Sequence, residues 1–99
     1  MKFHFHVGAR RDLKQSYSWY QKHSDRAASE FLGEVSATLD KISNTPGNFH
    51  PVNKQGKARA VRVDRYPFTL IYLPSATNVI IIAVAHDKRR PEYWQRRID

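Results

Sequence analysis

The 99-residue chain contains no cysteine, which excludes a disulfide scaffold, a thiolate metal site and a cysteine nucleophile. Long apolar runs are missing too. The longest, Val79–Ala85, is far below the roughly 18 residues that a membrane span requires. Residues 1–20 lack the apolar stretch of a signal peptide. We therefore expect a cytoplasmic protein without a membrane partner, folded as one domain over residues 1–99.

Motifs of the common catalytic classes are also missing. The sequence has no Walker loop, no histidine pair at metal-ligand spacing and no Gly-x-Ser-x-Gly elbow. His4 and His6 share one face of a predicted strand, but no third ligand is close in sequence, so we interpret them as outward-facing. Asp12 and Glu30 are interpreted as solvated charges on helix surfaces. We expect neither a metal nor a cofactor.

Positive charge is what the sequence has in excess, with 17 Lys and Arg against 9 Asp and Glu. Residues 1–45 hold seven basic and five acidic side chains, whereas residues 54–97 hold ten basic and three acidic ones. Such a one-sided surface favours nucleic acid or an acidic protein as partner, with a solvated face as the simpler alternative. The residues assigned to nucleic-acid or partner binding are Lys54, Lys57, Arg59, Arg62, Arg65, Arg89 and Arg90.

Hydrophobic periodicity in the first half predicts one strand and two helices. Residues 3–7 alternate apolar and polar side chains, as in a half-buried strand. From Ala9 the apolar residues recur at helical spacing for about three turns. Ser24 or Asp25 can cap a second helix, whose apolar stripe runs over residues 28–42. The short connection predicts an antiparallel helix hairpin.

The second half reads as three strands and a terminal helical turn. After a polar loop over residues 49–56, a strand is predicted around Val61 and Val63, and another over Phe68–Leu73. Val79–Ala85 has the composition of a central strand that is buried on both faces. Pro91 suits the start of a short C-terminal helix.

These elements define an α+β fold in the order β-α-α-β-β-β-α. The N-terminal strand and the antiparallel helix hairpin are expected to pack on an antiparallel β-sheet meander. Within this core, Phe31, Val35 and Ile82 should face one another between helix and sheet.

A histidine at the end of the last strand leads into an arginine-rich segment. Metal-free RNA cleavage needs a base, a cation and an acid, and His86, Arg89 and Tyr93 have suitable side chains, with Arg62 on the strand predicted next to them. The alternative is that His86 bonds a turn carbonyl, Tyr93 and Trp94 pack, and the arginines bind anions without chemistry. We favour this non-catalytic alternative, because the spacing is not specific.

Four stretches together resemble the RelE/ParE superfamily of bacterial type II toxins: "WY", "EFLGEVSATLDKISNTPGNF", "RVDRYPFTLIY" and "IIIAVAHDKRRPEYWQRR". The resemblance covers nearly the whole chain. It implies a toxin that arrests growth and is neutralised by a co-expressed, acidic antitoxin that wraps it. It also implies one of two targets, because RelE-type members cleave mRNA on the ribosome and ParE-type members inhibit DNA gyrase.

The residues carried over by this resemblance favour the ParE-like branch. Thr69 stands where RelE-type nucleases have an arginine, and Arg89 matches a second arginine only with a shifted register. Tyr93 matches the C-terminal tyrosine, and Arg59 or Arg62 matches a basic position before the second hairpin strand. We therefore predict a toxin that binds gyrase, with a metal-independent, ribosome-dependent mRNA endoribonuclease as the alternative. A plain RNA-binding module is a third, weaker option, because the aromatic residues lie in core-like stripes.

Overall fold

Two helices and five strands make up most of the fold of the computed structural model, which describes every residue except Met1, Asn48, Asn53–Gly56 and Asp99. The elements are β1 (Lys2–Phe5), α1 (Val7–Gln21), α2 (Asp25–Asn44), β2 (His50–Pro51), β3 (Arg59–Arg62), β4 (Phe68–Pro74), β5 (Asn78–His86) and a 3₁₀ turn (Gln95–Arg97). This is the α+β fold that the periodicity predicts.

Both helices begin at a side-chain cap. His6 Nδ1 accepts a hydrogen bond from the Gly8 amide at 2.9 Å, so α1 starts before Ala9 and His6 lies at its cap, not on the strand as predicted. Ser24 Oγ accepts from the Ala27 amide at 2.9 Å, so Ser24 is the cap of α2 and Asp25, the other predicted candidate, is its first residue. Lys22, His23 and Ser24 connect the helices, which pack against each other.

The strands form one mixed sheet in the order β1-β5-β4-β3-β2. The antiparallel meander β3-β4-β5 is confirmed. β1 joins β5 in parallel, which requires a long crossover, and the helix hairpin follows β1 along the chain. The two residues of β2 pair with β3. β2 lies within residues 49–56, which were predicted to form a loop.

The helix hairpin covers one face of the sheet. Phe31 and Val35 of α2 pack in one buried cluster with Val79, Ile81 and Val84 of β5. All five side chains are buried, with at most 3% of their surface exposed. Removing this much apolar surface from water is the main force that holds the hairpin to the sheet.

Ile82 lies on the opposite face, so its predicted contact with Phe31 and Val35 is wrong. The reason is a β-bulge: Ile71 pairs with Ala83 whereas Tyr72 pairs with Ile81, and Ile82 is left as the extra residue. The bulge reverses the alternation of faces along β5. A regular alternation of faces from Val84 would place Ile82 on the hairpin side, whereas the bulge places it on the opposite face.

The second face of the sheet is covered by the C-terminal segment. Trp94 packs there with Ala58, Ile71, Ile82 and Ala83. The predicted C-terminal helix is in fact a run of turns that ends in the 3₁₀ turn. Glu92 has a φ of 59°, in the left-handed region that an α-helix does not use, so a regular helix cannot extend through it.

Candidate functional site

A buried carboxylate joins α1 to the C-terminal segment. Asp12 Oδ2 accepts hydrogen bonds from Arg97 Nη1 at 2.8 Å, the Tyr93 hydroxyl at 2.9 Å and the Val84 amide at 3.1 Å. The second oxygen of Asp12 accepts from Arg97 Nη2 at 3.3 Å. Only 5% of the Asp12 side chain is exposed, so its interpretation as a solvated charge is wrong.

This ion pair completes the hydrogen bonding of β5. β1 pairs with β5 only as far as Ile81. After that point, the Val84 amide donates to Asp12 and the Ile82 carbonyl accepts from Arg97 Nη1 at 2.9 Å. Because buried backbone groups require partners, the two side chains take the place of a longer neighbouring strand. The Ile82 carbonyl belongs to the bulge residue.

Gly8 makes room for this arrangement. A Cβ atom at position 8 would overlap the Arg97 guanidinium, so a side chain there would displace Arg97 from Asp12. Gly8 and Asp12 are four residues apart and share one face of α1. No local feature of the sequence pairs Asp12 with Arg97, which lies 85 positions further along the chain.

Tyr93 is held between two arginines. The Arg89 guanidinium lies 3.9 Å from the centre of its ring and that of Arg97 lies 5.0 Å away, within the range of cation–π attraction. Burial, followed by the hydrogen bond to Asp12, raises the pKa of Tyr93 well above its ordinary value. The hydrogen bond to Asp12 also raises the pKa of Arg97. The phenol stays protonated and the guanidinium stays charged.

His86 lies at the end of β5 beside a groove of about 470 Å³. Its Nδ1 accepts a hydrogen bond from the Lys88 amide at 3.0 Å, so it bonds a turn amide and not the turn carbonyl that we predicted. Its ring meets that of Phe68 edge-on at 4.9 Å. The groove is lined by Asp12, Gln15, Ser16, Trp19, Tyr20, Pro67, Phe68, Val84, His86, Lys88 and Arg89.

Arg62 forms a bidentate ion pair instead of joining His86. Its Nη1 and Nη2 donate to Asp87 Oδ1 and Oδ2 at 2.9 and 3.2 Å. This pairing lowers the pKa of Asp87 and raises that of Arg62. β4 lies between β3 and β5, so the prediction that Arg62 occupies the strand next to His86 is wrong.

The other predicted binding residues are dispersed, with Arg59 on β3 and Lys57, Arg65 and Arg90 outside the strands. Arg59 Nη1 donates to the Phe49 carbonyl at 2.6 Å, and Arg65 lies 3.8 Å from Glu34. Arg59 therefore ties β3 to the segment before β2, whereas the Arg65 side chain is 84% exposed and its ion pair contributes little. Lys57 and Arg90 are exposed. Lys54 lies outside the described residues.

A cationic surface on α1 is missing from the sequence prediction. Four of the five acidic residues in positions 1–45 lie on α2, and the fifth is Asp12, which is paired with Arg97. The exposed charges of α1 are therefore Arg10, Arg11 and Lys14. Dividing the chain by sequence halves hides this surface, because α1 and α2 fall in the same half.

The described residues form neither a metal-binding cluster nor a membrane-spanning helix. No three His, Asp or Glu side chains come together as a metal site would require. No helix in the described part of the chain combines the length and apolarity that a bilayer span needs.

The fold and the site thus describe a small basic α+β protein in which a buried ion pair fixes the C-terminal segment beside a cation-lined groove. The family model described as "ParE toxin of type II toxin-antitoxin system, parDE" matches residues 3–91. The chain belongs to this ParE toxin family, which makes it the toxin of a type II module with a cognate antitoxin as partner.

A solved structure supports the same fold. It is described as "Chromosomal ParDE TA system from P. aeruginosa" and superposes with a TM-score of 0.71 at 16% sequence identity. The match covers 87% of this chain and 95% of the other. No curated protein matches the sequence.

Proposed function

We propose that this toxin arrests growth by binding and inhibiting DNA gyrase, as one cytoplasmic domain over residues 1–99. The observation that carries the proposal is the bond from the Tyr93 hydroxyl to Asp12 at 2.9 Å. A general acid must give its proton to the leaving group. The raised pKa of Tyr93 and its bond to a buried carboxylate oppose such a transfer.

One of the cations considered for RNA cleavage is also engaged already. Arg62 is paired with Asp87 on both of its terminal nitrogens, so a phosphate would have to displace that carboxylate. Thr69, which pairs with Arg62 across β3 and β4, has no charge to offer. Stabilising a phosphorane requires cations that already point at it, and this arrangement favours binding over catalysis.

The alternative is a metal-independent, ribosome-dependent mRNA endoribonuclease. It is favoured by one feature, the groove that His86, Lys88 and Arg89 line together. A base and two cations on one groove could act on RNA if Tyr93 left Asp12.

Two assays on the same cultures and one on purified gyrase separate these functions. The toxin is induced without its antitoxin, and the culture is assayed for gyrase-dependent DNA breaks and for mRNA cleavage. The purified toxin is added to gyrase in a supercoiling assay. We expect inhibited supercoiling and intact mRNA, while a culture that also expresses the antitoxin serves as the control. Cleaved mRNA with normal supercoiling would establish the endoribonuclease instead.

The antitoxin is proposed to be acidic and to wrap the toxin. A second groove of about 570 Å³ lies between β1 and the helices, with Phe3, Phe5 and Leu13 among its apolar lining residues and Arg10 and Lys14 among its cations. An antitoxin helix with apolar anchors and acidic flanks fits this combination.

A further inference from the structure

Trp19 is the bulkiest apolar side chain that the described structure leaves exposed. Its exposed fraction is 56%, although burying a tryptophan is strongly favourable. The ring meets Tyr20 edge-on at 5.0 Å and His23 at 4.5 Å, which holds it in one orientation. A large aromatic side chain that is exposed and already oriented is typical of an interface anchor.

Depressions flank Trp19 on both sides. One is the groove of about 470 Å³, in which Tyr20, Phe68 and Val84 supply apolar surface and Lys88 and Arg89 supply charge. The other, of about 480 Å³, is lined by polar and basic side chains, including Arg11 of α1 and Lys22 just after it. We call this area the Trp19 surface, defined by Arg11, Trp19, Lys22, Lys88 and Arg89.

The charge of the Trp19 surface has one sign. Among the described residues that line either depression, the one carboxylate is Asp12, and Arg97 neutralises it. Arg89 is oriented by the ring of Tyr93, which Asp12 fixes in turn. The buried ion pair therefore helps to set the position of a cation on this surface.

We propose that the Trp19 surface is where the toxin contacts the protein that it inhibits, and that it takes an acidic segment with an apolar or aromatic anchor. The anchor fills the groove beside Trp19, and the acidic residues face Arg11 and Lys22 on one side and Lys88 and Arg89 on the other. This inference rests on the proposed function, because it assumes a protein target. The Trp19 surface, and not the dispersed cations of residues 57–65 that the sequence predicts as binding residues, then makes the main contact with the target protein.

A protein segment fits this surface better than a single-stranded nucleic acid does. Strands without sequence preference bind by stacking successive bases on a row of aromatic side chains. Among the described Phe, Tyr and Trp residues, Trp19 alone is exposed, and it lies beside a groove with apolar lining residues. A central aromatic anchor with a charged rim is the arrangement of protein interfaces.

Growth arrest tests the surface without assuming which protein is the target. Trp19→Ala and the double charge reversal Arg11→Glu/Lys22→Glu are each induced without antitoxin, after circular dichroism has established folding. We expect each to weaken growth arrest about tenfold or more, the loss typical of an interface anchor. The matched controls are Ile80→Ala, another exposed apolar residue, and Arg26→Glu/Lys41→Glu on α2. Equal arrest by wild type and both test variants would overturn the proposal.

Cross-linking to purified gyrase locates the contact directly. Because the chain has no cysteine, Ser18→Cys on α1 and Ser36→Cys on α2, both exposed, each carry a single benzophenone label. We expect the Ser18 label to cross-link and the Ser36 label not to. If wild type inhibits supercoiling but the Ser36 label cross-links instead, the surface is wrong while gyrase inhibition stands. If wild type arrests growth without inhibiting gyrase, gyrase is the wrong target, and the growth assay still decides on the surface.

Fluorescence distinguishes a nucleic acid from a protein partner. Trp94, the second tryptophan, is 5% exposed, so quenching by a solute reports mainly on Trp19. We expect an oligothymidylate at physiological salt to leave the emission unchanged. Saturable quenching by this single strand, lost in Arg11→Glu/Lys22→Glu, would overturn the choice of an acidic protein.

Discussion

Asp12 and Arg97 stand 85 positions apart in the chain, and their side chains meet at 2.8 Å with 5% and 16% of their surface exposed. The pair links the first helix to the last turn and bonds two backbone groups of β5 that β1 does not reach. Breaking one partner of a buried pair is far more costly than losing an exposed one. The stability predictions for Asp12 and for Tyr93, which also bonds Asp12, depend on this pair.

Replacing Asp12 by Asn should strongly destabilise the fold, because it leaves the Arg97 charge buried without its counter-charge. We expect the free energy of unfolding to fall by about 3–5 kcal/mol, measured by urea denaturation. Asp40→Asn, at an exposed position on α2, is the control and should change stability by no more than about 0.5 kcal/mol. A loss below about 1 kcal/mol for Asp12→Asn would contradict the buried pair.

Replacing Ile82 by Ala should also destabilise the fold, although Ile82 lies on the other face of the sheet from the one predicted. Its side chain is 2% exposed, and truncating a buried aliphatic side chain costs about 2–5 kcal/mol. Ile80→Ala is the matched control at 37% exposure and should cost less than about 1 kcal/mol. Equal losses in denaturation experiments would show that the bulge register is wrong.

The sequence was sufficient for the helix hairpin and for the meander β3-β4-β5, because these depend on periodicity and on turn residues, but not for β2 or for the C-terminal turns. Ser24, for example, caps α2 by a local hydrogen bond that its position next to the apolar stripe predicts. The face of Ile82 could not be predicted, because the bulge depends on pairing between β4 and β5.

The candidate site was predicted less well than the fold. His86 and Arg89 do line one groove, but Arg62 is paired elsewhere. The Asp12 network was missed because its members are brought together by tertiary contacts across 72 to 85 positions. Local patterns carry no information on such contacts, and an aspartate on a helix is most often solvated.

Alkaline pH should destabilise the toxin through Tyr93. Burial and Asp12 raise the pKa of Tyr93 above its ordinary value of 10.0, so the unfolded chain releases this proton at a lower pH than the folded chain. The contribution is therefore fully present below pH 10 and is lost as pH rises above it. Denaturation at increasing pH should show a steeper loss for wild type than for Tyr93→Phe. Parallel curves would contradict the assignment.

Association with the antitoxin should depend on salt more than dissociation does. Opposite charges speed the encounter, whereas buried apolar anchors determine how long the complex lasts. Stopped-flow mixing at increasing salt should therefore slow association markedly and change the dissociation rate little. The reverse pattern would mean that the antitoxin is not held by charge complementarity in the way proposed.

Variants of His86 and Tyr93 decide between a binder and an enzyme. In a nuclease, His86→Gln would remove a proton-transfer group and lower the rate by about 10²–10⁴-fold. In a gyrase-binding toxin, His86→Gln and Tyr93→Phe keep most of the side-chain volume and remove no needed proton, so growth arrest should persist in both. Tyr93→Phe should still lose about 1.5–3 kcal/mol of stability, because a hydrogen bond to a charged group disappears.

Arg89→Ala is the positive control, since either activity needs this cation on the groove. The measurement is plating efficiency after induction, with folding verified and mRNA cleavage followed in parallel. Loss of both growth arrest and cleavage in a folded His86→Gln variant would replace the binding mechanism with endoribonuclease catalysis.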